Sequence, residues 1–222
     1  MRHSTNLYLI FFIFLMFAQP LQAFTRNNNT CDIQQGEPLH NAYGPWDYIN
    51  PAHKERLPIV IQNHFNSGVE RLIKGQTGTI EHDLDYTLRA IPNFHRALNA
   101  VSKYQRMNNI QYAARDNFWT AECYFKRAIY FQPADPTARL LFGIHLHMLK
   151  KYEEALLQYH QALQIQSDNP EAHYNLGLLY LDMDKLKKAK EHAKKAYDMG
   201  FPLEGLKNRI SRAESKPKPE AK

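Results

Sequence analysis

The chain matches itself at an offset of about 34 residues. Ala121, Ala155 and Ala189 stand in step, as do Phe118, Tyr152 and Leu186, and Ala128, Ala162 and Ala196. Over the last two units the register extends to Pro136 with Pro170, Ala138 with Ala172, Gly143 with Gly177, and Leu146 with Tyr180. Small residues at set places and a Pro near each boundary mark stacked helix–turn–helix units. One unit cannot bury its apolar face alone, so neighbours stack and the concave side becomes a binding surface. The expected fold is all-α, a right-handed α-solenoid with an extended N-terminal arm.

Residues 1–23 read as a signal peptide rather than as fold. Arg2 and His3 give a short polar start, an unbroken apolar run covers residues 7–18, and Pro20 precedes the small-residue site Leu21-Gln22-Ala23. The run is shorter than the roughly 20 residues of a membrane span and has signal-peptide flanks. The expected location is periplasmic, or otherwise exported after cleavage near Ala23; an uncleaved N-terminal anchor is the alternative. Two cysteines, Cys31 and Cys123, would enter an oxidising compartment together, which favours a disulfide over two unrelated thiols. Their spacing does not decide the matter.

Along the chain, residues 24–65 form an aromatic arm with turn signals at Gly44-Pro45-Trp46-Asp47-Tyr48 and Asn50-Pro51. Residues 57–61 (Leu-Pro-Ile-Val-Ile) read as extended, because Pro58 argues against helix. Ser67-Gly68-Val69-Glu70 reads as a capping box opening a degenerate helical half-repeat over 66–91, with Gly75 closing a short segment. A further helix starts near Thr79, with Glu81, Asp83 and Asp85 in its early turns. A first repeat spans 92–135, with a long connection after Met107; an alternative register carries Ile110 and Tyr112 into its first helix. Asp135-Pro136 and Asn169-Pro170 are N-caps followed by Pro at the first helical position. They open the second repeat (136–169) and the third (170–203). Residues 204–214 fit a capping helix, and the Pro- and Lys-rich residues 215–222 fit a disordered tail.

Asn175-Leu176-Gly177 with Tyr180, Ala189 and Ala196, matched by Phe142-Gly143, Tyr152, Ala155, Tyr159 and Ala162, resemble tetratricopeptide repeats. The pattern departs from that family at Arg139, His173 and Ser167. Gly44-Pro45-Trp46-Asp47-Tyr48, residues 83–90, His95-Arg96-Ala97-Leu98, Glu122-Cys123-Tyr124-Phe125 and Gly200-Phe201-Pro202-Leu203 are similar to a group of bacterial exported repeat proteins of unsettled function. That resemblance implies architecture and compartment, not an activity.

No enzyme is expected. Residues 74–79 lack the Gly-Lys-Ser/Thr ending by which a phosphate loop holds phosphate and magnesium. Glu81, His82, Asp83 and Asp85 gather acid, base and ligand types. However, only the pairs His82 with Asp85 and Glu81 with Asp85 share a helix face, which makes half a zinc site. His145 and His147 diverge around a helix. No cofactor or metal is implied.

The resemblance places Leu140, Leu141, Ile144, His147 and Met148 on the concave face, followed by Glu171, Tyr174, Asn175, Leu178, Leu181 and Asp182. Leu141 and Met148 are also candidates for inter-unit core. The expected peptide-binding set is Leu140, Ile144, His147, Tyr174, Asn175, Leu178, Leu181 and Asp182. An amide such as Asn175 can both donate to and accept from a peptide backbone. The expected ligand is an extended protein segment with apolar or aromatic anchors. Residues 42–61 of the chain itself have that character, so self-occlusion of the groove is a second expectation. The net charge of +6 is modest. Its densest clusters, Lys185-Lys187-Lys188-Lys190 and Lys194-Lys195, allow an anionic membrane surface as the alternative partner. Nucleic acid suits an exported chain poorly.

Overall fold

The computed structural model describes residues 30–109 and 118–215. The expected signal peptide, the alternative register through Ile110 and Tyr112, and residues 216–222 lie outside them. The described residues form helices α1 (Leu57–His64), α2 (Ser67–Glu70), α3 (Ile80–Ala90), α4 (His95–Met107) and α5 (Ala121–Phe131). They continue as α6 (Pro136–Met148), α7 (Tyr152–Ile165), α8 (Pro170–Asp182), α9 (Leu186–Asp198) and α10 (Gly205–Glu214). Antiparallel pairs α4/α5, α6/α7 and α8/α9 stack side by side, and α10 closes the end. This is a tetratricopeptide-type α-solenoid.

The local chemistry of each unit repeats with the sequence. The Asp135 carboxylate accepts from the Thr137 and Ala138 N–H groups, and the Asn169 side chain accepts from Ala172 N–H. Both caps precede a Pro whose missing N–H costs nothing there. Inside the α6/α7 and α8/α9 pairs the turn ends on a left-handed residue, Lys150 at φ 60° and Asp184 at φ 56°. The following N–H then reaches back along the chain, Lys151 to Leu146 O at 2.9 Å and Lys185 to Tyr180 O at 2.8 Å. These bonds satisfy orphan carbonyls at the helix ends.

Close approach of helices explains the small residues. Ala121, Ala128, Ala155, Ala162, Ala189 and Ala196 are all fully buried. A Cβ at Gly143 would stand 2.5 Å from the Tyr159 ring, and one at Gly177 would stand 2.5 Å from Leu206. Gly143 thus admits an aromatic ring of α7, and Gly177 admits the anchor of α10.

The arm departs from the sequence reading. Residues 57–61 are helical, as part of α1, and not extended. Pro58 sits in the first turn, where no intrahelical partner awaits its N–H, so it starts the helix instead of breaking it. A 3-10 turn, Pro51–His53, precedes it, with the Asn50 side chain accepting from Ala52 N–H. The cap of α2 is Asn66, whose side chain accepts from Gly68 and Val69 N–H, not a Ser67 capping box.

Cys31 and Cys123 are disulfide-bonded, with Cα atoms 5.1 Å apart. Around that bond the Arg127 guanidinium donates to Cys31 O at 3.0 Å, and the Tyr130 hydroxyl meets Gln34 O and Glu37 O. Asn93, fully buried, pins the next stretch of the arm. Its amide donates to Asp47 at 2.8 Å and to Asp135 at 3.1 Å, and its oxygen accepts from Tyr48 N–H at 2.9 Å. Gln132 donates to Asp47 at 2.7 Å, and His95 Nε2 meets Asp135 at 2.8 Å. Burial alone would raise the Asp135 carboxyl, but hydrogen bonds from His95, Ala138 N–H and Asn93 hold it below the ordinary range. Trp46 packs edge-on against Tyr43 and His53, under the Arg56 guanidinium.

Candidate functional site

The inner layer of the stack is α4, α6, α8 and α10, each packed on the next, while α5, α7 and α9 form the outer layer. Helices that touch along one layer put the concave side there. On it, Ile144, Leu178 and Leu181 are half-buried apolar side chains, and Leu141 beside them packs on the core. His147 Nε2 meets Asp182 at 2.9 Å, and Arg209 of α10 donates to the same carboxylate at 2.5 Å. Burial would raise the Asp182 carboxyl, but Arg209 and His147 hold it below its ordinary value. This chain of three side chains ties α6, α8 and α10 together along the face.

The expected binding residues divide by exposure. Ile144, His147, Asn175, Leu178 and Leu181 are partly accessible and Asp182 is exposed. Leu140 is only 2% exposed and belongs to the core between units. Tyr174 is 8% exposed, because α10 lies over it: Phe201 stands 4.5 Å away ring to ring, and the Tyr174 hydroxyl sits against Gly205. Met148, a candidate for the core, is 62% exposed instead. One N–H of the Asn175 amide donates to Glu171 O within its own helix, which leaves its second N–H and its oxygen for a ligand.

The arm does not line this face. The hydrogen bonds and ring contacts that hold residues 41–56 go to α3, to the turn at 91–95 and to Gln132, and α1 packs on α3. Self-occlusion of the groove on α6 and α8 by residues 42–61 is therefore corrected: the arm seats on the ends of the helices instead. The physical reason is its polar anchors, Asp47 and the Tyr48 N–H, which find Asn93 at a junction between units.

The acidic cluster at 81–85 disperses. Glu81 accepts from the Tyr104 hydroxyl, and Asp85 accepts from Arg89 at 3.0 Å and the Tyr124 hydroxyl at 2.7 Å. Asp83 turns inward and accepts from Gln76 N–H at 2.5 Å, Thr77 N–H at 3.1 Å and the Thr77 hydroxyl at 2.5 Å. The loop at residues 74–79, which lacks the ending of a phosphate loop, thus holds the chain's own carboxylate. Among the described residues no three His, Cys, Asp or Glu side chains are placed to hold a metal. In the Lys-rich helix, Lys190 pairs with Glu214, Lys194 with Asp198, and Lys188 lies over the Tyr180 ring.

Sequence reasoning missed several clusters that the fold assembles. His145 is buried and shares a hydrogen bond with Ser102, with Nδ1 at 2.9 Å from the hydroxyl. His173 Nε2 meets Ser167 O at 3.2 Å, and its Nδ1 faces His192 Nδ1 at 2.9 Å. His64 pairs with Asp83 across 19 positions. Such pairs carry no local spacing signal.

The geometry defines a class, a helical repeat stack with an open concave face. Residues 145–184 match the family model described as TPR repeat, so the chain carries tetratricopeptide repeats there. Among solved structures, PilF of Pseudomonas aeruginosa aligns at TM-score 0.51 and 18% identity, over 72% of this chain and 67% of that one. A thermophilic tetratricopeptide repeat protein of Thermus thermophilus, TTC0263, aligns at 0.48 and 20% identity, over 74% and 83%. MamA aligns at 0.47 and 20% identity, over 61% and 75%. No protein of curated function matches the sequence. Tetratricopeptide repeats mediate contacts between proteins and are in general scaffolds without catalysis, and at that level the chain is a protein-interaction module.

Proposed function

We propose that the chain is an exported adaptor that holds an extended segment of another protein along the concave face of α6 and α8. The observation that carries this reading is the half-buried apolar stripe Ile144, Leu178 and Leu181, bordered by the partly accessible Asn175 and the His147–Asp182–Arg209 chain. Apolar surface left partly open beside fixed polar groups suits a peptide with aliphatic or aromatic anchors. Export rests on the apolar run at 7–18 with its cleavage site, and on a disulfide of the kind oxidising compartments sustain. Cleavage after Ala23 would be read directly by N-terminal sequencing of the cell-derived protein, with Phe24 as the expected first residue.

The groove is tested by selecting binders from a displayed library of extended peptides and measuring them against the double variant Ile144→Lys, Asn175→Ala. Both positions have accessible surface, so the variant keeps its melting temperature while losing affinity at least about tenfold. Equal affinity for parent and variant would move the site off the concave face. The Lys-rich α9 is the weaker candidate surface, since two of its lysines are paired with carboxylates and a third lies on an aromatic ring. Binding to anionic vesicles that disappears with added salt would favour it.

A further inference from the structure

At the other end of the stack a pocket of about 210 Å³ opens between the arm, α1 and α3. Its walls are Tyr43, Ile59, Val60, Asn63, His64 and Tyr86. The hydrogen bonds behind it settle what it offers a ligand. Burial would raise the Asp83 carboxyl, but the Thr77 hydroxyl, two backbone N–H groups and His64 hold it below the ordinary range, so it is a carboxylate and only accepts. Thr77 gives its one hydroxyl proton to Asp83. The contact from His64 Nδ1 to Asp83 at 3.1 Å must therefore be N–H donating, with Thr77 Oγ1 at 3.2 Å sharing the same proton. In neutral His64 that assignment leaves Nε2 as a bare acceptor. The ring is stacked on Tyr86 at 4.0 Å, and its side chain is 18% exposed.

Two other polar groups of the wall add acceptors. One N–H of the Asn63 amide donates to Ile59 O at 2.6 Å, and its oxygen remains an acceptor beside its second N–H. The Tyr43 hydroxyl donates to Arg56 O at 3.1 Å, which leaves its lone pairs. Aromatic faces, an aliphatic floor and available acceptors therefore converge in one small space. Its volume lies below the roughly 300 Å³ at which drug-sized ligands begin, and suits a single side chain.

We propose that this pocket receives one aromatic side chain of a partner polypeptide that carries a hydrogen-bond donor on its ring, the phenol of tyrosine or the indole of tryptophan. Ring packing against Tyr43 and Tyr86 supplies the contact, and the donor meets His64 Nε2. A cation would be opposed by Arg89, which lies over Tyr86. The site is separate from the groove on α6 and α8, so either can fail alone.

The test titrates the purified chain with N-acetyl-L-tyrosinamide, N-acetyl-L-phenylalaninamide and free tyrosine, following backbone and His64 ring resonances by NMR. The expected result is shifts confined to α1, α3 and Tyr43, with the tyrosinamide bound about fivefold more tightly than the phenylalaninamide. In His64→Leu that preference disappears while the weak apolar binding stays. Ile59→Arg, at a position 55% exposed, blocks the mouth without touching the buried hydrogen bonds and abolishes both. Equal affinity for the two amides, shifts elsewhere, or no shifts up to the solubility limit would each overturn the proposal. Tighter binding of free tyrosine than of its blocked amide would also overturn it, because the ligand would then be an amino acid and not a polypeptide side chain.

Discussion

The Tyr159 ring fills the notch left by Gly143, while its buried hydroxyl oxygen has no hydrogen-bond partner. An unsatisfied buried hydroxyl carries a desolvation cost that its removal relieves. Tyr159→Phe is therefore expected to stabilise the chain by about 1 kcal/mol, read as a higher urea midpoint at unchanged m. Gly143→Ala goes the other way, because its Cβ has nowhere to go beside that ring, and costs about 1–3 kcal/mol.

Buried histidines set the response to acid. Burial, reinforced by Arg106, drops His145 from 6.5 to about 4, and burial with the neighbouring His173 drops His192 to about 4. Both are neutral when folded, and the unfolded chain takes up the protons first. Their stabilisation is complete above pH 6.5 and is lost as pH falls from 6.5 toward 4. For His145 that span corresponds to about 3 kcal/mol. His192, only half-buried, contributes less. Urea midpoints measured between about pH 7.5 and 4.5 should show this decline, with a shallower slope in His145→Gln. The carboxylates of Asp83, Asp135 and Asp182 are held low instead, so their stabilisation persists through that window and fails only in stronger acid.

At the scale of elements, what could be read from sequence tracks how local the determining contacts are. The helices from Pro136 onward announce themselves, since Asp135 or Asn169, the following Pro and the 34-residue register act within one turn or one unit. α1 gives no such notice: its N-cap, Arg56, makes no side-chain cap, so Pro58 was the loudest residue and pointed the wrong way. The concave face was legible as a stripe but not in its exposure. Tyr174 occupies a groove position by register, yet α10 covers it, and only the packing of Leu206 and Phe201 shows this. His64 and Asp83 were unreadable as a pair because the loop at 76–77 brings them together. One junction tests this view of the arm. Asn93→Ala removes three hydrogen bonds at once and weakens the hold on Asp47, so it should cost about 3 kcal/mol and make residues 40–56 the first site of proteolytic nicking.

Across the whole molecule, the disulfide divides the chain into a bridged N-terminal half and two unbridged repeats. Its 92-residue separation gives the chain-entropy argument a long loop, worth about 4–5 kcal/mol at most. Reduction should lower the melting temperature and loosen α5 and the arm before α8 and α9, as hydrogen exchange would register.

The same bond has a mechanical meaning. Pulled from its two ends, the chain can release its last repeats one after another, but the stretch from Cys31 to Cys123 stays a closed loop. That withholds about 300 Å of contour length. Under load the protein would behave as a fixed block carrying an extensible tail, able to yield to a partner's movement at one end without letting go at the other.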